Sequence, residues 1–540
     1  MSDVRQKLVE LAMAEAAQYG EAKSKSVIGK AMGKYPELRS SAKDLLAIID
    51  EVISEVNSMS SEDLEPFLPS KKPKVERVIE RELPPLNNPD SVVLRFAPGP
   101  SGPLHLGHTR ALALNNYYKK RYGGKLILRL EDTNPNAIDS DAYEMIESDL
   151  NWLNIEADEI IIQSDRIELY YQEIRKIIER GGAYVTCSDA EDWRDLKNQK
   201  KAHPDRERST EVQLAEFDSL LVEGKGIVVI KTDLEDPNPA LRDFVAFRVV
   251  EESHPRQSTK YRLWPLYNYA VAVDDYHLGI THVLRGKDHL NNTLKQKWIY
   301  KYLGWDEPEY IHYGLVSIPN TNLKTSKIRE SISEGKFSGW DDCRLATLKG
   351  LARRGYRPET FLKYWESSGL KEVDIKFSWQ NFDAMNKDII DSDTRRLFFV
   401  SDPVEFTIET NNELFKDAPW HPDKPELGKR DEKIVSGSSI FIQKSDFEAF
   451  EKGRLVRLKN LCNVIVNDNR LIFEGMQPQK GSQIIQWCSS HTPIELYYPD
   501  GTIVKGIVED NISELDGETV QFERVGFVRL EGKKAFFLHR

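Results

Sequence analysis

The sequence predicts a multidomain protein that combines an α/β domain, built on a parallel sheet, with an all-β C-terminal region. The chain has 540 residues, and a single hydrophobic core rarely grows beyond about 250–300 residues. Between residues 91 and 316, apolar strands alternate with helical patterns, as in βαβ units. Beyond residue 396, short alternating strands are separated by turn residues, which is typical of antiparallel barrels or sandwiches.

Composition and charge exclude several classes of protein. Lys and Arg total 75 against 87 Asp and Glu, giving a net charge of −12, and 40% of the residues are hydrophobic, as in soluble globular proteins. An acidic chain does not favour nucleic-acid binding overall, so any RNA contact must rest on local basic patches. No run reaches the roughly 18–20 apolar residues of a membrane span, and the N-terminus is unlike a signal peptide. We therefore expect a cytoplasmic protein without membrane contacts.

The four cysteines are far apart in the chain and form no CxxC pair. This spacing supports neither a disulfide scaffold nor a four-cysteine zinc site, so we expect buried free thiols. The cysteines are Cys187, Cys343, Cys462 and Cys488.

The N-terminal part divides into a helical module and a linker. In residues 1–65, apolar residues such as Val4, Leu8 and Leu11 recur at helical spacing. Residues 66–90 contain six prolines, which resist regular structure, and we interpret them as a Pro-rich linker.

The α/β domain is predicted in two halves, residues 91–186 and 263–340, around an insertion at 187–262. A strand, a helix and a second strand within about 40 residues predict a parallel sheet with right-handed crossovers. The first half contains strand 91–97, helix 105–121, strand 125–131, strand 159–164, helix 167–180 and strand 183–186. The second half contains helix 267–275, strand 280–285, helix 289–303 and strand 310–316.

Two further regions complete the chain. Residues 341–390 predict a helical connector, with Leu345, Leu348 and Leu351 on one helical face. Residues 391–540 predict the all-β region, in which two antiparallel barrels could share the strands.

The most informative stretch is residues 95–116, which leaves a strand, turns through Gly and Pro residues, and enters a helix with His105 and His108 on its first turn. Glycines such as Gly102 permit close approach of the backbone to a phosphate, and a helix N-terminus supplies free N–H groups. Two imidazoles can donate to phosphate oxygens. The stretch therefore predicts a phosphate-binding loop.

This stretch resembles the HIGH signature of class I aminoacyl-tRNA synthetases, in the form found in the glutamyl and glutaminyl branch, with His105, Gly107 and His108 at the matching positions. The resemblance implies a Rossmann-like catalytic domain whose two histidines contact ATP and stabilise the transition state. Residues 323–328, LKTSKI, resemble the second signature, a flexible lysine loop. This implies that Lys327 reaches the ATP phosphates, with Ser326 beside it.

The resemblance also implies the substrates. ATP, accompanied by Mg²⁺, is expected at Gly102, Gly107, His105, His108, Asp288, Ser326 and Lys327. Arg95 and Arg285 are expected to face the carboxylates of the amino acid. Zinc is not expected, since the insertion offers only Cys187 and His203 as ligands.

Amino-acid choice depends on charge. Glu131 and Asp132 end the second strand, a position that faces the crevice of a parallel sheet, and by the resemblance Glu131 meets the α-ammonium group while Tyr267 lines the pocket. Glutaminyl enzymes carry a neutral residue at the position of Arg285, whereas an arginine can pair with a γ-carboxylate. We therefore expect activation of L-glutamate to glutamyl-adenylate and transfer to tRNA(Glu), with tRNA(Gln) left open.

Two alternatives remain at this stage. One is a glutaminyl enzyme with an atypical pocket, and the other is a non-catalytic RNA-binding protein that retains the synthetase fold. The archaeal and eukaryotic branch is favoured, because Val271 stands where bacterial glutamyl enzymes have asparagine and because the C-terminal region is rich in β-strand patterns.

Basic clusters in the β-rich region predict contacts with tRNA. Arg454, Arg457 and Lys459 alternate along one predicted strand, and Lys533 lies close to Phe536. Single-stranded bases favour aromatic stacking next to cations, so these residues are candidates for anticodon binding. A protein partner for the helical module at residues 1–65 is left open.

Overall fold

The computed structural model describes residues 2–19, 21–34, 42–59, 82–319, 321, 323–448, 453–510 and 512–540. The chain forms two compact units, Met1–Glu80 and Arg81–Arg540. Of the expected Pro-rich linker, residues 66–81 lie outside the described residues.

The N-terminal unit contains the helices that the apolar spacing predicts. They are α1 (Ser2–Tyr19), α2 (Ser24–Lys34) and α3 (Ala42–Asn57). Leu8, Val27 and Val52 are fully buried in the core of this unit, so each helix contributes its apolar face to one shared cluster.

The first half of the α/β domain begins with three parallel strands in the order β1-β2-β3. Its elements are β1 (Val93–Phe96), α4 (Thr109–Tyr122), β2 (Lys125–Leu130), α5 (Ala142–Trp152), β3 (Glu159–Ile162) and α6 (Ile167–Glu179). Leu126 and Ile127, which point to opposite faces of β2, are both buried. Burial on both faces explains why these strands read as almost continuous apolar runs.

The insertion is an antiparallel sheet with two helices. Its elements are β4 (Ala183–Thr186), α7 (Ala190–Asn198), α8 (Thr210–Val222), β5 (Ile227–Ile230), β6 (Phe244–Val249) and β7 (Leu263–Pro265). The expectation that strand 183–186 continues the parallel alternation is wrong, because β4 pairs antiparallel with β5. A short apolar run has the same pattern in either kind of sheet, so periodicity cannot distinguish them.

The second half of the α/β domain adds two parallel strands beside β1. Its elements are α9 (Tyr267–His277), β8 (His282–Gly286), α10 (Leu290–Leu303), β9 (Glu309–Tyr313), β10 (Val316–Ser317) and α11 (Thr325–Ser333). β8 pairs parallel with β9, and the N–H of Thr281 donates to the carbonyl of Val93 at 3.0 Å. The strand order therefore reverses between β1 and β8, where a crevice forms at the carboxyl ends of the strands.

Three helices follow in the region expected to be a connector. They are α12 (Leu348–Arg354), α13 (Pro358–Ser368) and α14 (Trp379–Ile390), and a short strand, β11 (Ile375–Lys376), pairs with β10. The indole N–H of Trp365 donates to Thr109 Oγ1 at 2.7 Å. This contact fixes α13 against the first residue of α4.

The C-terminal region forms two seven-stranded sheets, in the orders β12-β25-β26-β27-β23-β24-β13 and β21-β18-β19-β20-β14-β17-β22, and a hairpin of β15 and β16. The strands are β12 (Arg396–Leu397), β13 (Phe399–Ser401), β14 (Pro403–Glu409), β15 (Leu414–Pro419), β16 (Lys429–Ile434), β17 (Ser439–Gln443), β18 (Leu455–Leu458), β19 (Asn463–Asn467), β20 (Arg470–Gly475), β21 (Gln483–Ile485), β22 (Trp487–Cys488), β23 (His491–Tyr497), β24 (Ile503–Glu509), β25 (Thr519–Phe522), β26 (Gly526–Glu531) and β27 (Lys534–His539), with the short helix α15 (Lys444–Glu448) after β17.

The expectation of purely antiparallel barrels needs correction. β12 pairs parallel with β25 and β23 with β27 in one sheet, and β14 with β20 and β18 with β21 in the other. Strand pattern alone does not determine which strands become neighbours, so these parallel pairs could not be expected.

Two smaller expectations have mixed outcomes. All four cysteines are free, and three are buried, but Cys187 is exposed. In the part of the chain that the structure describes, none of the helices combines the length and the apolar character that crossing a membrane demands.

Candidate active site

The histidine loop, residues 97–108, joins β1 to α4 at the carboxyl end of the parallel strands. The expectation that both histidines lie on the first helical turn is wrong, because α4 begins at Thr109 and His108 is its N-cap residue. His105 lies three residues earlier and forms an isolated bridge with Thr347. Gly102 has a φ of +150°, and a Cβ atom there would lie 2.5 Å from Thr325 Cγ2. This position therefore requires glycine.

The loop stays out of the helix because other segments bind its backbone. The N–H of Leu104 donates to Asp149 Oδ2 at 2.7 Å, and the N–H of Leu106 donates to the carbonyl of Ala346 at 3.0 Å. The N–H of Leu348 in turn donates to the carbonyl of Leu104 at 2.9 Å. Sequence reasoning missed Asp149, whose pKa burial raises to about 7.

The two histidine rings are stacked, with centroids 3.8 Å apart and planes 20° apart. Nδ1 of His105 accepts the N–H of Gly107 at 3.1 Å, and Nδ1 of His108 accepts the N–H of His105 at 3.2 Å. A neutral ring that accepts at Nδ1 carries its proton on Nε2. Burial lowers the pKa of His105 to about 4, and burial together with His105 lowers the pKa of His108 well below its ordinary value. Both rings are therefore neutral donors at neutral pH.

The lysine helix, α11, lies against the histidine loop. We expected a flexible loop here, but a helix begins at Thr325, so Ser326 and Lys327 lie in its first turn, where both are exposed. Among the described residues, no ion pair engages the ammonium group of Lys327. The side chain of Leu323 would lie 3.3 Å from a Cβ atom on Gly107. The two motifs, far apart in sequence, are thus neighbours in the fold.

The candidate amino-acid pocket consists of Arg95, Glu131, Tyr267 and Arg285. Arg95 lies on β1, Glu131 follows β2, Tyr267 begins α9 and Arg285 lies on β8. The charges of the other three residues all act on the hydroxyl of Tyr267. Burial and the charge of Glu131 raise the pKa of Tyr267 to about 12, while Arg285 and Arg95 oppose that shift. The structure therefore brings these four residues together.

Arg285 makes side-chain hydrogen bonds through only one of its nitrogens among the described residues. It is 5% exposed, and its Nη2 donates to Thr293 Oγ1 and to Gln296 Oε1, the latter at 2.9 Å. In the part of the chain that the structure describes, its Nε and Nη1 have no hydrogen-bond partner. Burial and the nearby charge of Arg95 lower the pKa of Arg285. A buried guanidinium with unpaired N–H groups beside a second arginine suits a carboxylate ligand.

Arg129 and Asp275 support the pocket, and the role of Arg129 was missed from the sequence. The fully buried Arg129 donates to Asp275 Oδ1 at 2.6 Å and to Glu131 Oε1 at 3.1 Å. Asp275 Oδ1 also lies 3.6 Å from Arg95 Nε. Burial raises the pKa of Glu131, although Arg129 and Arg95 act in the opposite direction. The available signal was an arginine inside the apolar strand 125–131.

Asp132 does not face the crevice as expected. It is fully buried and accepts hydrogen bonds at 2.7 Å from the N–H of Ser164 and the hydroxyl of Tyr143. Successive residues of an extended segment point to opposite sides, so Glu131 and Asp132 cannot share one face.

Asp288 lies in the turn that follows β8 and is exposed. The next residue, His289, has its Nδ1 at 3.2 Å from the hydroxyl of Tyr267. The turn carrying Asp288 therefore borders the pocket through His289.

The four expected tRNA contacts do not form one cluster. Arg457 donates to Asn463 Oδ1 at 3.0 Å, and Lys459 pairs with Glu523. Arg454 and Lys533 are exposed, but Arg454 precedes β18 and Lys533 lies between β26 and β27, in different sheets. Phe536, beside Lys533 in the prediction, is buried at 4% exposure and has no free face for a base.

The two candidate zinc ligands of the insertion make other contacts or stay exposed. Nδ1 of His203 accepts the N–H of Asp205 at 3.1 Å, its Nε2 lies 3.1 Å from Ser188 Oγ, and Cys187 is exposed. Across the described ranges, no group of three or more His, Cys, Asp or Glu residues is placed to hold a metal ion.

Known proteins resemble the chain over nearly its whole length. The family of tRNA synthetases class I (E and Q), catalytic domain, matches residues 91–392, and the anti-codon binding domain of the same class matches residues 394–475. A glutamate–tRNA ligase of Thermoplasma volcanium is 42% identical over 547 residues, which cover 99% of each chain. One of Methanocaldococcus jannaschii is 42% identical over 548 residues, which cover 98% of each chain.

Proposed function

This chain belongs to the class I tRNA synthetases of the E and Q group, and on that premise we infer that it is a glutamate–tRNA ligase. The enzyme activates L-glutamate with ATP and transfers the glutamyl group to the 3′-terminal adenosine of tRNA(Glu). The buried, partly unpaired guanidinium of Arg285 supports glutamate as the amino acid. The two alternatives, a glutaminyl enzyme and a non-catalytic RNA-binding protein, are not favoured by the names of the full-length relatives.

In the first step, the α-carboxylate of glutamate attacks the α-phosphorus of ATP, and pyrophosphate leaves. The Nε2–H groups of His105 and His108 donate to phosphate oxygens, and the ammonium of Lys327 adds positive charge as charge develops on the leaving group. Because the rings are already neutral donors held by backbone N–H groups, no reorganisation is needed at the moment of reaction. The absence of side chains at Gly102 and Gly107 lets Thr325 and the His105 ring pack closely on the loop, and we propose that the backbone of this loop contacts the triphosphate.

Mg²⁺ would accompany ATP and neutralise part of its charge. Magnesium usually keeps several waters and is bound through substrate phosphates and one or two carboxylates. The absence of a three-residue acidic cluster among the described residues fits such a phosphate-bound ion. Ser326 and Asp288 are the side chains we propose nearest the nucleotide.

The pocket distinguishes glutamate from glutamine by charge. Arg285 pairs with the γ-carboxylate, Arg95 lies nearer the α-carboxylate, Glu131 accepts from the α-ammonium group, and Tyr267 lines the wall. Glutamine would leave the buried charge of Arg285 under-compensated, which costs binding because unpaired buried groups are expensive. Bound ammonium would also lower the raised pKa of Glu131.

In the second step, a hydroxyl of the terminal adenosine attacks the carbonyl carbon of glutamyl-adenylate, and AMP leaves. The region matched as an anti-codon binding domain would read the other end of the tRNA. Arg454, Arg457 and Lys459 lie in that region, and together with Lys533, which lies beyond it, they remain our candidates for tRNA contacts. An enzyme that charges tRNA works where tRNA is, and we propose a cytoplasmic location on that ground.

Amino-acid-dependent exchange of pyrophosphate into ATP, measured with tRNA present, tests this function. We expect exchange with glutamate and little with glutamine. Exchange with glutamine alone would contradict the assignment. In the same assay His108→Ala should lose activity by about 100-fold or more, since it removes a preorganised donor. Unchanged activity of that variant would remove the histidine loop from the mechanism.

A further inference from the structure

Arg329 connects the three segments that carry the candidate active site. It lies on the lysine helix, two residues after Lys327. Its Nη2 donates to Asp139 Oδ2 at 2.9 Å and to the backbone carbonyl of Ser101. Ser101 belongs to the histidine loop, and Asp139 lies in the segment that leads from Glu131 to α5. One nitrogen therefore joins the lysine helix, the histidine loop and the segment that follows the pocket carboxylate.

Asp139 is a fixed anchor for this contact. Its N–H donates to the carbonyl of Pro100 at 2.9 Å, and its Oδ1 accepts the N–H of Asp141 at 3.0 Å. Its side chain is only 18% exposed, whereas that of Arg329 is 43% exposed. With Oδ1 engaged in its own turn, Oδ2 is the oxygen presented to the lysine helix.

The remaining contacts of the lysine helix with this loop are few. Among the nine residues of the helix, only Ile328 is buried. Thr325 fills the space above Gly102, and Leu323, just before the helix, packs near Gly107. The guanidinium of Arg329 thus supplies the polar contacts that fix the helix to the histidine loop.

We propose that Arg329 is a positioning residue, which holds the lysine helix against the histidine loop through Asp139 and Ser101 so that Lys327 reaches the ATP phosphates. This inference rests on the proposed function. The contact is partly exposed, so its loss should displace the helix rather than unfold the protein. A small displacement of a catalytic group is enough to slow a reaction that depends on positioning.

A double-mutant cycle on the full chain tests the proposal, with pyrophosphate exchange as the readout and Arg329→Gln, Asp139→Asn and the double variant as the proteins. We expect each single change to lower kcat by about 10- to 100-fold, because misplacing Lys327 affects the transition state. The KM for glutamate should stay within about 2-fold of the unmodified protein, because the pocket residues are not displaced. The double variant should be no slower than the slower single variant, since both changes remove the same contact between Arg329 and Asp139.

Two further variants sharpen the test. Arg329→Lys keeps a cation and should recover part of the lost kcat, but less than all of it, because lysine lacks the planar fork. Glu330→Gln changes the exposed neighbour on the same helix and should retain full activity. Additive losses in the cycle, an unchanged kcat in Arg329→Gln, or a matching loss in Glu330→Gln would each overturn the proposal.

The same series separates the positioning role from the identity of the amino acid. If the unmodified protein exchanged pyrophosphate with another amino acid and not with glutamate, the proposed function would fail. The cycle measured with that amino acid would still report whether Arg329 and Asp139 act as one unit. Loss of kcat together with an equal rise in the KM for the amino acid would indicate general disruption and contradict the positioning role.

Discussion

Arg285 is the residue on which we base the proposal of glutamate as the substrate. Thr293 and Gln296 both accept from one of its nitrogens, whereas its Nε and Nη1 have no hydrogen-bond partner among the described residues. A buried arginine without a full set of partners is costly to the free protein. A ligand carboxylate would remove that cost, and this difference in free energy is available for specific binding of glutamate.

The variant Arg285→Gln should therefore bind and use glutamate less well than the unmodified protein. We expect kcat/KM for glutamate to fall by about 10- to 100-fold, since hydrogen bonds to charged groups contribute about 1.5–3 kcal/mol. The measurement is tRNA charging at several glutamate concentrations. Arg285→Lys is the matched control. Its kcat/KM for glutamate should lie between those of the unmodified protein and Arg285→Gln, because lysine keeps the charge without the planar geometry. Unchanged charging by Arg285→Gln would place the γ-carboxylate elsewhere.

His105 predicts a pH dependence of stability. Its pKa in the folded protein is about 4, below the ordinary 6.5. The unfolded chain therefore binds this proton more readily than the folded protein between these two values, so stability falls as pH drops from about 6.5 towards 4.

The histidine contribution can be isolated by comparing Tm with that of His105→Gln between pH 7.5 and pH 4.5. The unmodified protein should lose Tm more steeply than the variant as pH falls, because glutamine does not titrate. Buried histidines that do not contact His105, such as His539, are present in both proteins and cancel in the difference. Parallel curves would show that His105 is not held in its neutral form.

Helix α12 is the element that joins the histidine loop to the C-terminal sheets. At its start, Leu348 and the preceding Ala346 share backbone hydrogen bonds with the histidine loop. At its end, Arg354 donates to the carbonyls of Phe537 and Leu538 at 2.9 and 2.7 Å. A helix of seven residues, fixed at both ends, is a stiff link between the two regions.

Arg354→Ala should weaken this link. The change leaves two carbonyl groups without their donor, and we expect a loss of about 1–3 kcal/mol in the free energy of unfolding. Urea denaturation measures it. Lys534→Ala, at an exposed position of β27, is the control. Its free energy of unfolding should stay within about 0.5 kcal/mol of that of the unmodified protein. Equal losses in the two variants would mean that Arg354 contributes no more than an ordinary surface cation.

At the scale of elements, the sequence predicted most helices and strands of the α/β domain within a few residues. It placed strand 183–186 in the wrong sheet, because a four-residue apolar run fits parallel and antiparallel neighbours alike. It also started α4 too early, since the hydrogen bonds that keep residues 104–106 out of the helix come from Asp149 and Ala346, which are remote in the chain.

In the candidate site, too, contacts between residues that are remote in the chain could not be predicted from the sequence. His105, His108 and Lys327 could be proposed from the sequence because each lies in a short motif whose residues are adjacent in sequence. The support of Glu131 and Arg95 could not, because Arg129 and Asp275 are 146 residues apart and only the fold brings them together. The position of Asp132 was also predicted wrongly: it was expected to face the crevice, but its side chain is buried.

For the whole molecule, the net charge of −12 describes an average over unlike regions. Several cations of the C-terminal sheets are already paired within the protein. Lys416 and Arg430 both bind the buried Glu509, and Lys459 binds Glu523. Arg454 and Lys533 are exposed, and we expect them to be more readily available to a polyanion than the cations that are already paired.

The most direct test of the account is charging of purified tRNA(Glu) and tRNA(Gln) by the full chain, with glutamate or glutamine supplied separately and the attached amino acid identified by mass spectrometry. We expect glutamate on tRNA(Glu), and glutamate on both tRNAs would identify an enzyme that also charges tRNA(Gln). Glutamine should be attached to neither, because it leaves Arg285 without its carboxylate partner. Formation of glutaminyl-tRNA in the absence of any glutamyl-tRNA would show that the chain is a glutaminyl enzyme and not a glutamate–tRNA ligase.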